Sequence, residues 1–327
     1  MQVSFSDVEY DYKKKVTRRD RFLAKIEAVT PWALLVEAME EYYPTSGRRG
    51  RPPIGLERML RMYVVQQCFG LSDEATEDAV YDSQAIRRFV GIDLCQESAP
   101  DATTLLRFRR FLEQHDLTKR MFDVINGHLA EEGLMMQEGT IVDATIINAP
   151  SSTKNRDRKR DPEMHQTKKG QQCYFGLKAH IGVDAASGLV HSVHTTAANA
   201  ADVSEAHAVL HGEEKEVFGD AGYQGVEKRP EHADRDVEWH VSMSIKKRQS
   251  LPSDAMGQAQ DLLERVRAKV RAKVEHPFHV VKNLFGLRKV RYKGLAKNDA
   301  QLHAQFALAN LVRAAPALLA NRGVGVS

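Results

Sequence analysis

Residues 140 to 147 read TIVDATII, with Asp143 in the middle of an otherwise apolar, largely β-branched run. Thr, Ile and Val suit a strand, Asp does not, and an unpaired carboxylate costs several kcal/mol to bury. Such a strand needs a compensating partner: an arginine, a frayed end in water, or a divalent cation that takes hard oxygen ligands. Two further strand candidates follow, LKAHIGVDA (177 to 185) and LVHSVHTT (189 to 196), joined by an Ala-Ser-Gly turn. The three predict an antiparallel start.

Asp202 then caps a predicted helix over VSEAHAVLHG, and a short strand, EVFGD (216 to 220), ends in the turn AGYQG. VEWHVSMSI (237 to 245) is another strand candidate. In 256 to 275, RVRAKVRAKV alternates apolar and basic residues like a strand. Ala, Arg and Lys nevertheless favour helix, and Val266, Val270 and Val274 form an i, i+4 stripe, so a helix is predicted.

On the other side of Asp143 the period changes. From about Arg18 to Glu132 apolar residues recur three and four apart, as in Leu56, Met59 and Leu60, which predicts a helical region. The expected division is therefore a helical region over 1–135 and an α/β region over 136–327. Asp101 reads as the N-cap of a helix whose Arg107, Arg109 and Arg110 can meet phosphates or merely solvate a face. Arg48, Arg49 and Arg51 beside Pro52-Pro53 form a second basic group. Lys154 to Lys169 forms a third, read as a solvated loop.

At 327 residues, 42% apolar and 28% charged, the chain can bury a large core. Its three cysteines are widely spaced, which argues against a disulfide framework or a paired-cysteine zinc site and suits a cytoplasmic setting. The first twenty residues carry charges where an export signal needs an apolar core, and no apolar run approaches a membrane span. The net charge of +3 says little, but its distribution says more: from Arg265 to Lys293 ten Lys/Arg surround one acid, Glu275. On a helix, Arg271 at i−4 and Lys282 at i+7 share the face of Glu275. Asp220 ends a strand before a glycine-permitted turn. Each acid read singly has an ordinary structural explanation; two from strands and one from a helix make a site for two metal ions about 4 Å apart, suited to phosphoryl displacement. His276 and His279 beside Glu275 are three apart where a zinc helix needs four.

The runs TIVDATIINAPSSTKN, FGLKAHIGVDAASG, TTAANAAD, FGDAGYQG and RAKVEHPFHVVKNLFG, with PWALLVEAMEEYYP and RRGRPPIGLERMLR in the helical part, resemble bacterial insertion-sequence transposases of the DDE group. The resemblance covers nearly the whole chain. It implies a ribonuclease-H-like mixed sheet flanked by helices, with the first and fourth strands adjacent and a late helix over them, preceded by an all-helical DNA-binding and assembly region. It also implies cleavage of element ends at terminal inverted repeats and joining of the 3′-hydroxyl ends to target DNA, by a homodimer bound to double-stranded DNA. Asp143, Asp220 and Glu275 become the catalytic, metal-binding triad for two Mg²⁺ ions, with Mn²⁺ able to substitute. Arg271 and Lys282 match the Arg and Lys of a Tyr-x2-Arg-x3-Glu-x6-Lys signature and lie against DNA; Ala268 stands where that signature has Tyr. Tyr223 is a candidate DNA contact, with packing as its plain alternative. A DNA-binding regulator without metal dependence, and a nuclease that never rejoins DNA, are the competing classes.

Overall fold

The computed structural model describes residue 10 and residues 12–44, 52–135 and 138–323. Arg48, Arg49 and Arg51 lie outside them. The chain forms two compact units, Met1–His128 with Leu311–Ser327, and Leu129–Asn310. The end of the last helix therefore clusters with the helical unit, where the sequence alone assigned it to the α/β region.

The described helices of the first unit are α1 (Arg18–Val29), α2 (Trp32–Glu40), α3 (Leu56–Phe69), α4 (Asp73–Asp82), α5 (Gln84–Val90), α6 (Ala102–Gln114) and most of α7 (Leu117–Glu131). α3 is central. Its Leu56, Met59, Leu60, Met62, Tyr63, Val64 and Val65 are buried, and it packs against α2, α4, α5 and α6. Short polar residues start the helices that follow. Ser72, Ser83 and Asp101 each accept a backbone N–H of the first turn, as read for Asp101, and Gly70 and Gly91 end α3 and α5 in the left-handed conformation.

The second unit is a mixed α/β sheet flanked by helices: β1 (Gly139–Asn148), β2 (His165–Lys169), β3 (Gln172–Asp184), β4 (Val190–Ala197), β5 (Glu216–Gly219) and β6 (Glu238–Val241). The order is β2-β3-β1-β5-β6, with β4 also on β3. β1, β3 and β4 pair antiparallel, as expected, whereas β1, β5 and β6 are parallel. The adjacency of the first strand with EVFG, the fourth strand read from the sequence, is observed. β2 was not anticipated: part of the basic stretch forms a hairpin with the first half of β3. The rest of that stretch is tied down as well, because Asp161 and Glu163 accept the backbone N–H groups of Gly294 and Leu295.

After β4 comes a short α8 (Asp202–Glu205) continued by a 3₁₀ turn. Asp202 does not cap it. Ala201 takes the cap position, and the Asp202 carboxylate accepts the Lys178 ammonium of β3 at 2.8 Å, since a charged partner outcompetes a backbone N–H. After α9 (Ile245–Gln249) runs α10 (Ala255–Arg271), a helix as predicted. It then changes pitch: a 3₁₀ turn over Ala272–Val274, an α-turn α11 (Glu275–His279) and a π-turn over Val280–Leu284. Pro277, which lacks a backbone donor, sits inside this restart. The last helix, α12 (Leu295–Asn321), fixes the edge strand through Asn310, whose amide both accepts from Val190 N–H and donates to its carbonyl. No described helix is long and apolar enough to cross a membrane.

Candidate active site

The parallel strands set the site. β1 and β5 are in register up to Ile141↔Phe218, so Asp143 and Asp220 each follow two residues later on neighbouring strands. β5 and β6 end at Gly219↔Val241, which puts Ser242 beside Asp220 in the same continuation. Asp143, midway along β1, and Asp220 therefore stand level just past the last pair of β1 with β5, with Ser242 next in line beyond β6. Asp220 leaves its strand in extended conformation and accepts Gly222 N–H at 2.8 Å. A side chain at Gly222 would press on that carboxylate, with a Cβ only 2.9 Å from its Oδ1.

Glu275 arrives on the segment that follows α10, and two cations of its own segment fix that segment. Arg271 donates to Ser242 Oγ at 3.0 Å. Lys282 donates to Thr145 Oγ1 at 2.6 Å and to the Ile146 carbonyl at 2.9 Å. One pin is at the end of β6 and the other on β1 just past Asp143, with exposed Glu275 between them in the chain. Arg271 and Lys282, expected against DNA, thus hold the protein's own strands. Sequence reasoning missed Ser242 and Thr145, because a Ser or Thr at a strand end carries no mark of the cation that will reach it.

Electrostatics couple the three acids. Burial pushes the Asp143 carboxyl up to about 7, the charges of Asp220 and Glu275 push the same way, and the Ala144 N–H with Arg271 opposes them. Burial lowers the Lys282 ammonium's pKa and Lys169 adds to this, while Glu275 and Asp143 act against it. A partly enclosed carboxyl that feels the charge of two others offers hard oxygens that suit a divalent cation, since the cation would take the place of the proton. Among the described residues, however, the grouping whose ligand atoms all lie within 4.8 Å of one another is a different one: Glu216, Glu238 and His240.

Two candidate contacts are corrected. Tyr223 is only 1% exposed and packs with Val142, Ala206, Val209, Val217 and Val226, so its ring belongs to the core under the site. Burial, then Asp143, Asp202 and Asp220, raise its hydroxyl well above the ordinary range. Arg109 is 8% exposed and pairs with both oxygens of Asp73, so its charge is spent inside the helical unit. Its neighbours Arg107 and Arg110 on α6 are exposed, and so is Ala268 on α10.

A cleft of about 580 Å³ opens beside Glu275, between the end of β1, the start of β3 and the segment from Glu275 to Arg288. Arg288 donates to Asn283 Oδ1 at 2.7 Å, and the Asn283 amide meets His279 Nδ1 at 2.9 Å, giving this wall a fixed hydrogen-bonded chain.

No solved structure matches the chain significantly. Family models do. The one described as Transposase DDE domain matches residues 135–311, and the one described as Transposase domain (DUF772) matches residues 10–111. The first of these spans more than half of the sequence, and the chain belongs to the DDE-domain transposases.

Proposed function

We propose that this transposase binds the terminal inverted repeats of an insertion sequence, cleaves the element ends and joins their 3′-hydroxyls to target DNA, using Asp143, Asp220 and Glu275 as its catalytic carboxylates. The observation that carries the reading is the strand register: it brings two aspartates level just past the last pair of β1 with β5, while Arg271 and Lys282 pin the Glu275 segment to β6 and β1. We read the sheet as ribonuclease-H-like on the same ground, with the helical region over 1–135 serving DNA binding and assembly and 136–327 the chemistry.

The three carboxylates would hold two Mg²⁺ ions, or Mn²⁺ in their place. When bound, these ions supply Lewis-acid stabilisation of the charge that develops on the phosphodiester. The protein's share is positional. Asp143 is fixed by a rigid strand, Asp220 by the Gly222 N–H, and Glu275 by the two pins that flank it. Lys282 uses two of its three donors on β1, which leaves one N–H for a phosphate oxygen. Arg107, Arg110 and the basic group at Arg48, Arg49 and Arg51 would add salt-dependent, sequence-independent affinity. Cutting two ends together calls for a homodimer on the DNA, in the bacterial cytoplasm where that DNA lies.

The test is a plasmid carrying the DNA flanks of the coding region, incubated with wild type or Asp143→Asn, in Mg²⁺ or EDTA. Metal-dependent excision and joining that the variant loses is the expected result. Tight binding without breakage would make the protein a regulator, and breakage without joining a nuclease.

A further inference from the structure

α10 keeps polar residues on its covered side and leaves apolar ones in water. Gly257, Gln260, Glu264, Arg267 and Arg271 recur three and four apart and are buried or half-buried. A Cβ at Gly257 would stand 1.9 Å from the Pro252 carbonyl oxygen. Glu264 accepts the Met243 N–H at 2.9 Å and pairs with Arg267, and Arg271 holds Ser242. These contacts fix which side of the helix meets the rest of its unit. One residue out of phase, about 100° round the axis, runs a second series with the same spacing: Met256, Ala259, Leu263, Val266 and Val270. Leu262 adjoins it. Met256, Leu262, Leu263 and Val266 are 51% to 69% exposed. Apolar residues alternating three and four apart make the seam of a helix pair, and a patch of them in water marks a contact surface.

The charges of α10 say what covers that seam. Asp254 is at its start and Lys269 near its end, both exposed, whereas Asp261 and Arg265 in the middle already pair with each other. A second copy laid parallel would set like charge against like. Laid antiparallel about a two-fold axis, it sets Asp254 of each copy toward Lys269 of the other, and the two helix dipoles oppose favourably. A helix of 17 residues is about 25 Å long, so two of them bury on the order of 1,000 Å², the low end of specific interfaces. Such a pair is reversible in solution and tightens where one DNA complex holds two copies close together.

We propose that α10 is the surface on which two copies of this chain pair, antiparallel, with Leu263 near the two-fold axis. The proposal gives the homodimer of the proposed function its contact surface and rests on that reading for its purpose. The pairing itself is measured without DNA.

The experiment is sedimentation equilibrium of the full-length protein, in which monomer and dimer should be in concentration-dependent balance. Leu262→Glu with Leu263→Glu should weaken the dimer by about 10²-fold or more, since like charges then meet across the axis. Circular dichroism should not change, because both side chains are exposed in a single copy. Cross-linking supplies a second measurement, in a chain whose exposed thiols are removed by Cys95→Ser and Cys173→Ser. A short bismaleimide should link Leu263→Cys to itself, and should link Met256→Cys to Val270→Cys only when the two variants are mixed. Wild type that stays monomeric at every concentration, a dimer that the glutamates leave intact, or Met256→Cys that links to itself overturns the proposal. So does a Leu263→Cys thiol that maleimide cannot reach in the dilute monomer, because the chain's own residues would then cover the seam. Each of these outcomes leaves the cleavage reading standing. A dimer that behaves as described but neither binds nor cuts the element ends overturns the cleavage reading alone.

Discussion

Two acidic groupings lie along the parallel part of the sheet, one at the start of β5 and β6 and one past the last pair of β1 with β5, and they differ in what the fold does with their charge. At the amino ends, Glu216 and Glu238 are close to His240, yet their side chains are 52% and 71% exposed. Water solvates them and the imidazole, when protonated, pairs with them, so the cluster is compact and already satisfied. Past the last pair of β1 with β5, Asp143 is partly enclosed and feels the charges of Asp220 and Glu275, and its carboxyl is driven up to about 7. Proximity therefore favours the first grouping as a metal site and unmet electrostatic need favours the second. The second is the better guide, because a cation binds where it relieves a cost.

The sharpest way to break that comparison is to neutralise each group in turn. Asp143→Asn, Asp220→Asn and Glu275→Gln should each lower end cleavage by about 10³-fold, several kcal/mol of lost transition-state stabilisation, with circular dichroism unchanged. Glu216→Gln and Glu238→Gln should leave cleavage within about twofold. Equal losses in both sets would sink the assignment.

Asp73 offers a third condition, a carboxylate that already has its cation in Arg109. Arg109→Ala should destabilise the helical unit by about 3 kcal/mol in urea titration, because it strands an acid beside a buried position. Asp143→Asn should act in the opposite direction. The folded state holds the Asp143 proton up to about pH 7 against an ordinary value of 3.8, so its contribution is present at low pH and is lost as pH rises through 7. Without metal, the variant should then be more stable than wild type at pH 8, by something on the order of 2 kcal/mol, and equal to it near pH 4. Mg²⁺ should remove the difference by stabilising wild type alone. A metal-free wild type as stable as the variant at pH 8 would show that the carboxyl is not under strain.

The smallest expected effect concerns the exposed arginines. Arg107→Ala with Arg110→Ala should leave stability unchanged and reduce the slope of log affinity against log salt by about 2 if both meet phosphates. An unchanged slope would make them simple solvation of α6.

What the sequence revealed follows how local each signal is. Asp143 was legible because an acid in TIVDATII contradicts its neighbours, and Glu275 because it is alone among ten cations. Both anomalies lie within a few residues. The destiny of Arg109 was not legible, since its partner Asp73 lies on another helix, and only packing separates it from Arg107 and Arg110. Tyr223 failed for the same reason: nothing in GDAGYQG tells whether the ring turns outward or into the Val142 core. β2 was hidden because its residues are polar and it exists only where β3 outruns β1.

The change of pitch from α10 through the 3₁₀ turn, α11 and the π-turn has an evolutionary consequence. Each residue of an α-helix advances the chain by about 100° around its axis, so a single insertion or deletion between Arg271 and Lys282 would swing one pin off its strand and carry Glu275 with it. Substitutions on the exposed side of this stretch leave that phase untouched. Between the two pins, length is under tighter constraint than composition: the segment works as a gauge, and homologous chains should keep its residue count even where its letters drift.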